Sequence, residues 1–296
     1  MPSQLETLTQ INLDDLVSSF GWEKAPLLAS ILRKAFIAPA RKFAGQMVEF
    51  DNYVGELGLS EGSRRIMQKN YVQDVRVYGR EYIPASGPVL FLSNHPGMAD
   101  TISLFAAIHR LDLNIIALHR PFLASLVNVT RHLIYISDDA SERMRAVRQV
   151  SAHLRSGGAA LTFPAGKIEP DPEVYPGALD SLNEWTESAG VFLRFAPQTM
   201  IVPVLVSGVI WKRTAHHWLT HLKRTREERE KLAAAFQLLS MITRGKRPTT
   251  VHVSFAKPIT VEEVGSTDTQ VIHKTVIQRM RELMQTTPAD EGISAL

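Results

Sequence analysis

From residue 75 onward, short apolar runs alternate with stretches of helical periodicity. Runs at 75–78, 89–93, 113–118, 133–137, 159–163, 201–206 and 251–255 read as strands, and 101–108, 122–130, 141–155 and 179–195 read as helices between them. Further helices are expected over 227–244 and 269–284, and residues 287–296 read as a frayed tail. The alternation predicts an α/β fold: a mostly parallel mixed sheet flanked by helices, with its chemistry at the carboxyl ends of the strands. Residues 1–70 precede it as a separate helical segment. There Leu27, Leu28, Ile31, Leu32, Ala35 and Phe36 share one face, Pro26 suits the first turn, and Pro39 is expected to end the run. With Arg33, Lys34, Arg41 and Lys42 beside it, this stripe fits either a basic helix at a bilayer interface or internal packing.

Composition narrows the classes. At 296 residues, 45% hydrophobic and 21% charged, the chain is an ordinary globular protein with room for a large core. A net charge of +3 does not indicate a nucleic-acid partner, yet it suits an anionic membrane surface if the basic residues cluster. Cysteine is absent, which removes disulfides, thiolate metal sites and a Cys nucleophile and fits a cytoplasmic location. The segment Met1-Pro2-Ser3-Gln4-Leu5-Glu6 lacks the basic and apolar blocks of a secretory signal. No uncharged apolar run approaches the roughly 18 residues of a membrane span, so an association with lipid is expected to be peripheral, at the inner face of the membrane.

The sharpest chemical signal is Ser93-Asn94-His95-Pro96-Gly97-Met98-Ala99-Asp100, where a strand is expected to stop and a helix to begin. A histidine on a strand end and an aspartate in the next first turn read as a general base and its orienter. The plainer reading makes Asp100 a helix N-cap and His95 a hydrogen-bonded core histidine. His217 and His221 sit at a zinc-chelating spacing, but no carboxylate joins them within the turn; with His216, Trp211 and Trp218 they read as an interfacial segment, and no metal is expected.

Three further blocks follow in order: Leu133-Ile134-Tyr135-Ile136-Ser137-Asp138, then Leu161-Thr162-Phe163-Pro164-Ala165-Gly166-Lys167-Ile168-Glu169-Pro170, then Val202-Pro203-Val204-Leu205-Val206-Ser207-Gly208. With Asn94, His95 and Asp100, these resemble the four blocks of the glycerolipid acyltransferases, the lysophospholipid and glycerol-3-phosphate acyltransferases. The resemblance covers about 75–254 and makes 71–296 an acyltransferase domain. It departs from the family at Gly97, where Ser is common, at Asp138, where an acceptor-binding Arg is usual, and at Ala165 and Lys167, which replace Glu and Thr.

The resemblance implies a fatty acyl transfer from acyl-CoA or acyl carrier protein to a hydroxyl of a lysolipid or related acceptor, with no tightly bound cofactor. His95 and Asp100 would be catalytic, and Asn94, Gly97, Phe163, Pro164, Gly166 and Lys167 substrate-binding. Amides around Gly97 or Gly166 are candidates for receiving the oxyanion. Arg143, Arg145 and Arg148 either compensate for the missing arginine or form a solvated helix face. Two other readings stand beside this one: a catalytically idle lipid-binding or scaffold protein on the same fold, and a lipase or esterase, which needs a serine at a strand-to-helix elbow.

Overall fold

Strands β1 (Asp74–Tyr78), β2 (Val89–Ser93), β3 (Leu113–Leu118), β4 (Leu133–Ile136), β5 (Ala159–Thr162), β6 (Met200–Ser207), β7 (Thr250–Phe255) and β8 (Ile293–Ser294) form a single sheet. Their order is β4-β3-β5-β2-β6-β7-β1-β8. This is a computed structural model, and it describes all residues except 1, 20, 98, 138, 223–224, 246–248, 287 and 289. Strands β2 to β6 run parallel; β7 is antiparallel to β6 and parallel to β1, and β8 is antiparallel to β1.

Helices α1 (Gln4–Ser19), α2 (Pro26–Leu57) and α3 (Leu59–Ile66) precede the sheet, and α4 (Asp100–Ala107), α5 (Pro121–Ala124), α6 (Ala140–Arg155), α7 (Ala178–Ser181) and α8 (Ser188–Phe195) connect its strands. After β6 come α9 (Lys212–Ala215), α10 (Arg226–Arg244), α11 (Val261–Val264) and α12 (Thr269–Gln285). Successive side chains of a strand point to opposite faces, so each strand feeds two cores. Phe91, Leu161 and Val204 pack on one face with Met47, Phe50 and Val54 of α2, Ile66 and Leu104. Leu90, Leu92, Ala160 and Leu205 pack on the other with Val150, Leu154, Phe192 and Met280. Residues of the amino-terminal helices therefore share a core with the sheet.

The structure departs from the sequence pattern where distant partners intervene. Pro39 does not end α2, which runs through it from Pro26 to Leu57. A proline removes one helical hydrogen bond, and packing offsets it: Leu32 and Phe36 bury against α1, while Ala44, Met47 and Phe50 enter the main core. Only Leu32 and Phe36 of the predicted stripe face inward; Leu27, Leu28, Ile31 and Ala35 are exposed. The expected helix over 122–130 breaks into α5 and a 3-10 turn, Val129–His132, because the buried Asp51 accepts the amides of Asn128 and Val129 at 2.8 and 2.9 Å. The helix over 179–195 is interrupted at Trp185, whose indole turns away to a buried carboxylate. The tail is not frayed at 293–295: β8 pairs with β1, and the Ala295 amide donates to the Val75 carbonyl at 2.8 Å.

Candidate active site

His95 stands just beyond the carboxyl end of β2, and Asp100 is the first residue of α4. The Nδ1 of His95 lies 2.7 Å from Oδ2 of Asp100, which also accepts the Gly97 amide at 2.7 Å; Oδ1 accepts from the Thr101 hydroxyl at 2.9 Å and from the Thr101 amide. A carboxylate only accepts, so Nδ1 carries the proton and Nε2 is left with its lone pair. Asp100 is 1% exposed, while His95 is 27% exposed and lines a cavity. The residue at the N-cap is Ala99. Asp100 is thus no cap for α4; it serves the imidazole from a helix N-terminus, where a negative charge is favoured.

Burial pushes the His95 pKa down, but the charge and hydrogen bond of Asp100, with the charge of Glu169, outweigh it, and the net direction is upward. Glu169 was not singled out by the sequence. It lies near the end of the third block, is 2% exposed, and its Oε2 accepts the His95 amide at 3.0 Å. Its Oε1 accepts from the Trp185 indole at 2.8 Å and from the Ser181 hydroxyl at 3.0 Å, and its own amide donates to the His95 carbonyl at 2.8 Å. Burial raises its carboxyl above the usual range against these hydrogen bonds. Two residues on, the buried Asp171 accepts the amides of Gly208 and Ile210 beyond β6 and that of Glu173. Such carboxylate straps leave little signal in a single sequence, since their partners lie tens of residues away.

The cavity beside His95 has a volume of 580 Å³. Its wall is largely apolar: Phe43, Met47 and Phe50 from α2, Ile102 and Phe105 from α4, Ile115 and Ala117 from β3, and Met241 from α10. Phe163 stacks at a tilt on the imidazole with centroids 4.4 Å apart, and Gly166, Lys167 and Arg120 stand on the wall. Lys167 pairs with Glu184 at 2.5 Å.

Among the other residues marked by the sequence, Asn94 is buried and its amide bonds the backbone of Val206; Asn94, Gly97 and Pro164 do not line the cavity. Gly97 has φ +83°, and a Cβ there would stand 3.2 Å from Ile168, which explains glycine in place of serine. The amides of Gly97 and Gly166 are engaged, by Asp100 and by the Phe163 carbonyl, so neither is free for an oxyanion. Asp138 lies outside the described residues. Arg143, Arg145 and Arg148 are on the exposed face of α6, and His217 packs on Phe236 and Trp218. One Gly-x-Ser-x-Gly run exists, at Gly58 to Gly62, but it joins α2 to α3 rather than a strand to a helix, and Ser60 stands 3.2 Å from His109 away from the cavity. That context is wrong for a nucleophile elbow.

Residues 74–207, which hold both His95 and Glu169, match the family model described as Acyltransferase. The match covers somewhat less than half of the chain. No curated protein matches it significantly. A similar solved structure is the crystal structure of the 1-acyl-sn-glycerophosphate (LPA) acyltransferase, PlsC, from Thermotoga maritima, with TM-score 0.47 and 18% identity over 96% of this chain and 97% of that one. The matched stretch runs from β1 to β6, and the cavity is completed from outside it by α2 and α10. Among the described residues, no helix is long and apolar enough to cross a membrane.

Proposed function

We propose that this acyltransferase moves a fatty acyl group from a thioester donor, acyl-CoA or acyl carrier protein, to the hydroxyl of a lysolipid. The observation that carries the reading is an oriented His95–Asp100 pair opening onto an apolar cavity. An acceptor hydroxyl is too weak an acid to attack a thioester unaided. Nε2 of His95 takes the hydroxyl proton as the oxygen bonds to the carbonyl carbon, while Asp100 stabilises the resulting imidazolium. The tetrahedral intermediate then expels the thiolate, which recovers the proton from His95. Ester and free thiol are the products. Apolar walls suit an acyl chain, whose burial contributes about 0.8 kcal/mol per methylene.

The acceptor in this reading is a lysolipid rather than glycerol-3-phosphate. It is supported by Asp138 in place of the second-block arginine and by Lys167, whose charge Glu184 already offsets. The same reading places the protein peripherally on the cytoplasmic face of the membrane, docked through residues 1–70, where Leu27, Leu28 and Ile31 present bare apolar surface beside Lys34.

The test is a reaction of the full chain with labelled palmitoyl-CoA and a total lipid extract, reading by mass spectrometry which lipid gains the chain, with glycerol-3-phosphate and lysophosphatidic acid run separately. Label in a lysolipid product is expected. Preference for glycerol-3-phosphate overturns the acceptor, and absence of thiol release marks an idle binder.

A further inference from the structure

We propose that Glu169 is a positioning residue for His95, fixing the backbone that carries the imidazole and holding a second negative charge near it. The inference rests on His95 being the base.

The geometry is a closed strap between two strand ends. Both polar backbone groups of His95 bond to this one residue: the amide to Oε2 at 3.0 Å and the carbonyl to the Glu169 amide at 2.8 Å. The far oxygen is anchored by Trp185 and Ser181, so the carboxylate cannot swing without breaking two further bonds. Trp185 leaves its helix to make this contact. All four groups bonding Glu169 are neutral. A buried carboxylate held only by neutral donors is costly, and an uncharged residue would staple the loops more cheaply. What its charge adds is an effect on the imidazole. The charged side chains acting on His95 are Asp100 and Glu169; the ring above it is the neutral Phe163, and Lys167 on the cavity wall is paired with Glu184. Glu169 therefore favours the imidazolium that forms when the acceptor proton is taken.

Asp171 supplies an internal control. It is as deeply buried and also straps amides, but those of Glu173, Gly208 and Ile210, not His95. A purely structural strap and a charge-bearing one are thereby separable within one loop.

The experiment measures thiol release from palmitoyl-CoA with a total lipid extract against pH, for the full chain and for Glu169→Gln, Glu169→Asp, Asp171→Asn and His95→Ala. Glu169→Gln is expected to move the acid limb of kcat/KM to lower pH and to reduce plateau kcat about tenfold, with donor KM little changed. Glu169→Asp keeps the charge but not the reach, so its limb stays with wild type while its plateau falls. Asp171→Asn leaves the limb in place. A wild-type limb in Glu169→Gln overturns the proposal, as does an equal shift in Asp171→Asn. If Glu169→Gln does not fold, Glu169→Asp decides, and a wild-type plateau there overturns it. His95→Ala at wild-type turnover is a different failure, that of the general-base reading itself.

Discussion

The side-chain amide of Asn94 continues the β2–β6 ladder: its Nδ2 donates to the Val206 carbonyl at 2.9 Å, and its Oδ1 accepts the Val206 amide at 2.8 Å. The residue before the histidine thus acts as one more rung of the sheet and sets where β2 hands over to the loop that carries His95. Asn94→Ala leaves a buried amide and carbonyl unpaired, at a cost of about 1–3 kcal/mol per group. A lower denaturation midpoint together with reduced kcat is expected from urea titration and steady-state assay. Unchanged midpoint and rate would assign the loop's placement to Glu169 alone.

His95→Ala should lower kcat by about 10²–10⁴-fold, the usual worth of a general base, with native circular dichroism. Asp100→Asn should also fall steeply, because the amide can present its NH2 to Nδ1 and favour the wrong tautomer. A folded His95→Ala protein at full turnover would refute the mechanism.

The pH dependence has a defined sign. In the proposed mechanism His95 acts as a base only when neutral, and Asp100 and Glu169 push its pKa above the ordinary 6.5 against the effect of burial. The kcat/KM of the free enzyme should therefore rise with pH through a midpoint above 6.5, with the protonated form inactive below it. In Asp100→Asn the residual activity should have its midpoint displaced downward. A wild-type midpoint under 6.5 contradicts the arrangement.

Leu27 is 74% and Ile31 57% exposed, whereas Phe36 packs against α1. Leu27→Asp with Ile31→Asp should abolish sedimentation with anionic liposomes and leave thermal stability unchanged. Phe36→Asp should lower the melting temperature instead, because it buries a charge without a partner. If the first pair sediments like wild type, these side chains do not meet lipid.

Strands β1 to β7 were legible as short apolar runs, whereas β8 lay in what read as a frayed tail, and the His95–Asp100 spacing pointed to a pair that the fold brings to 2.7 Å. What stayed hidden was decided by residues far along the chain. Asp51 breaks the helix predicted over 122–130, and Glu169 draws Trp185 out of the one over 179–195. Pro39 is tolerated because both halves of α2 find something to pack on. Local pattern reports propensity; it does not report which partner outbids it.

The position of β1 has a consequence for the order in which the protein assembles. Its neighbours are β7 and β8, both from the end of the chain, and Asp74 is 220 residues from the Ser294 hydroxyl that donates to it. Strands β2 to β6 need only one another, so the layer that carries His95 and Glu169 can associate before the last part of the chain is available. Contacts of such separation form slowly, since a long loop must close before they return any energy. The pieces flanking this layer at β1, together with the Ala295 carbonyl that Arg64 of α3 holds at 2.5 Å, are therefore set last, and a chain halted before residue 250 would carry the His95–Asp100 pair and Glu169 beside an open sheet edge.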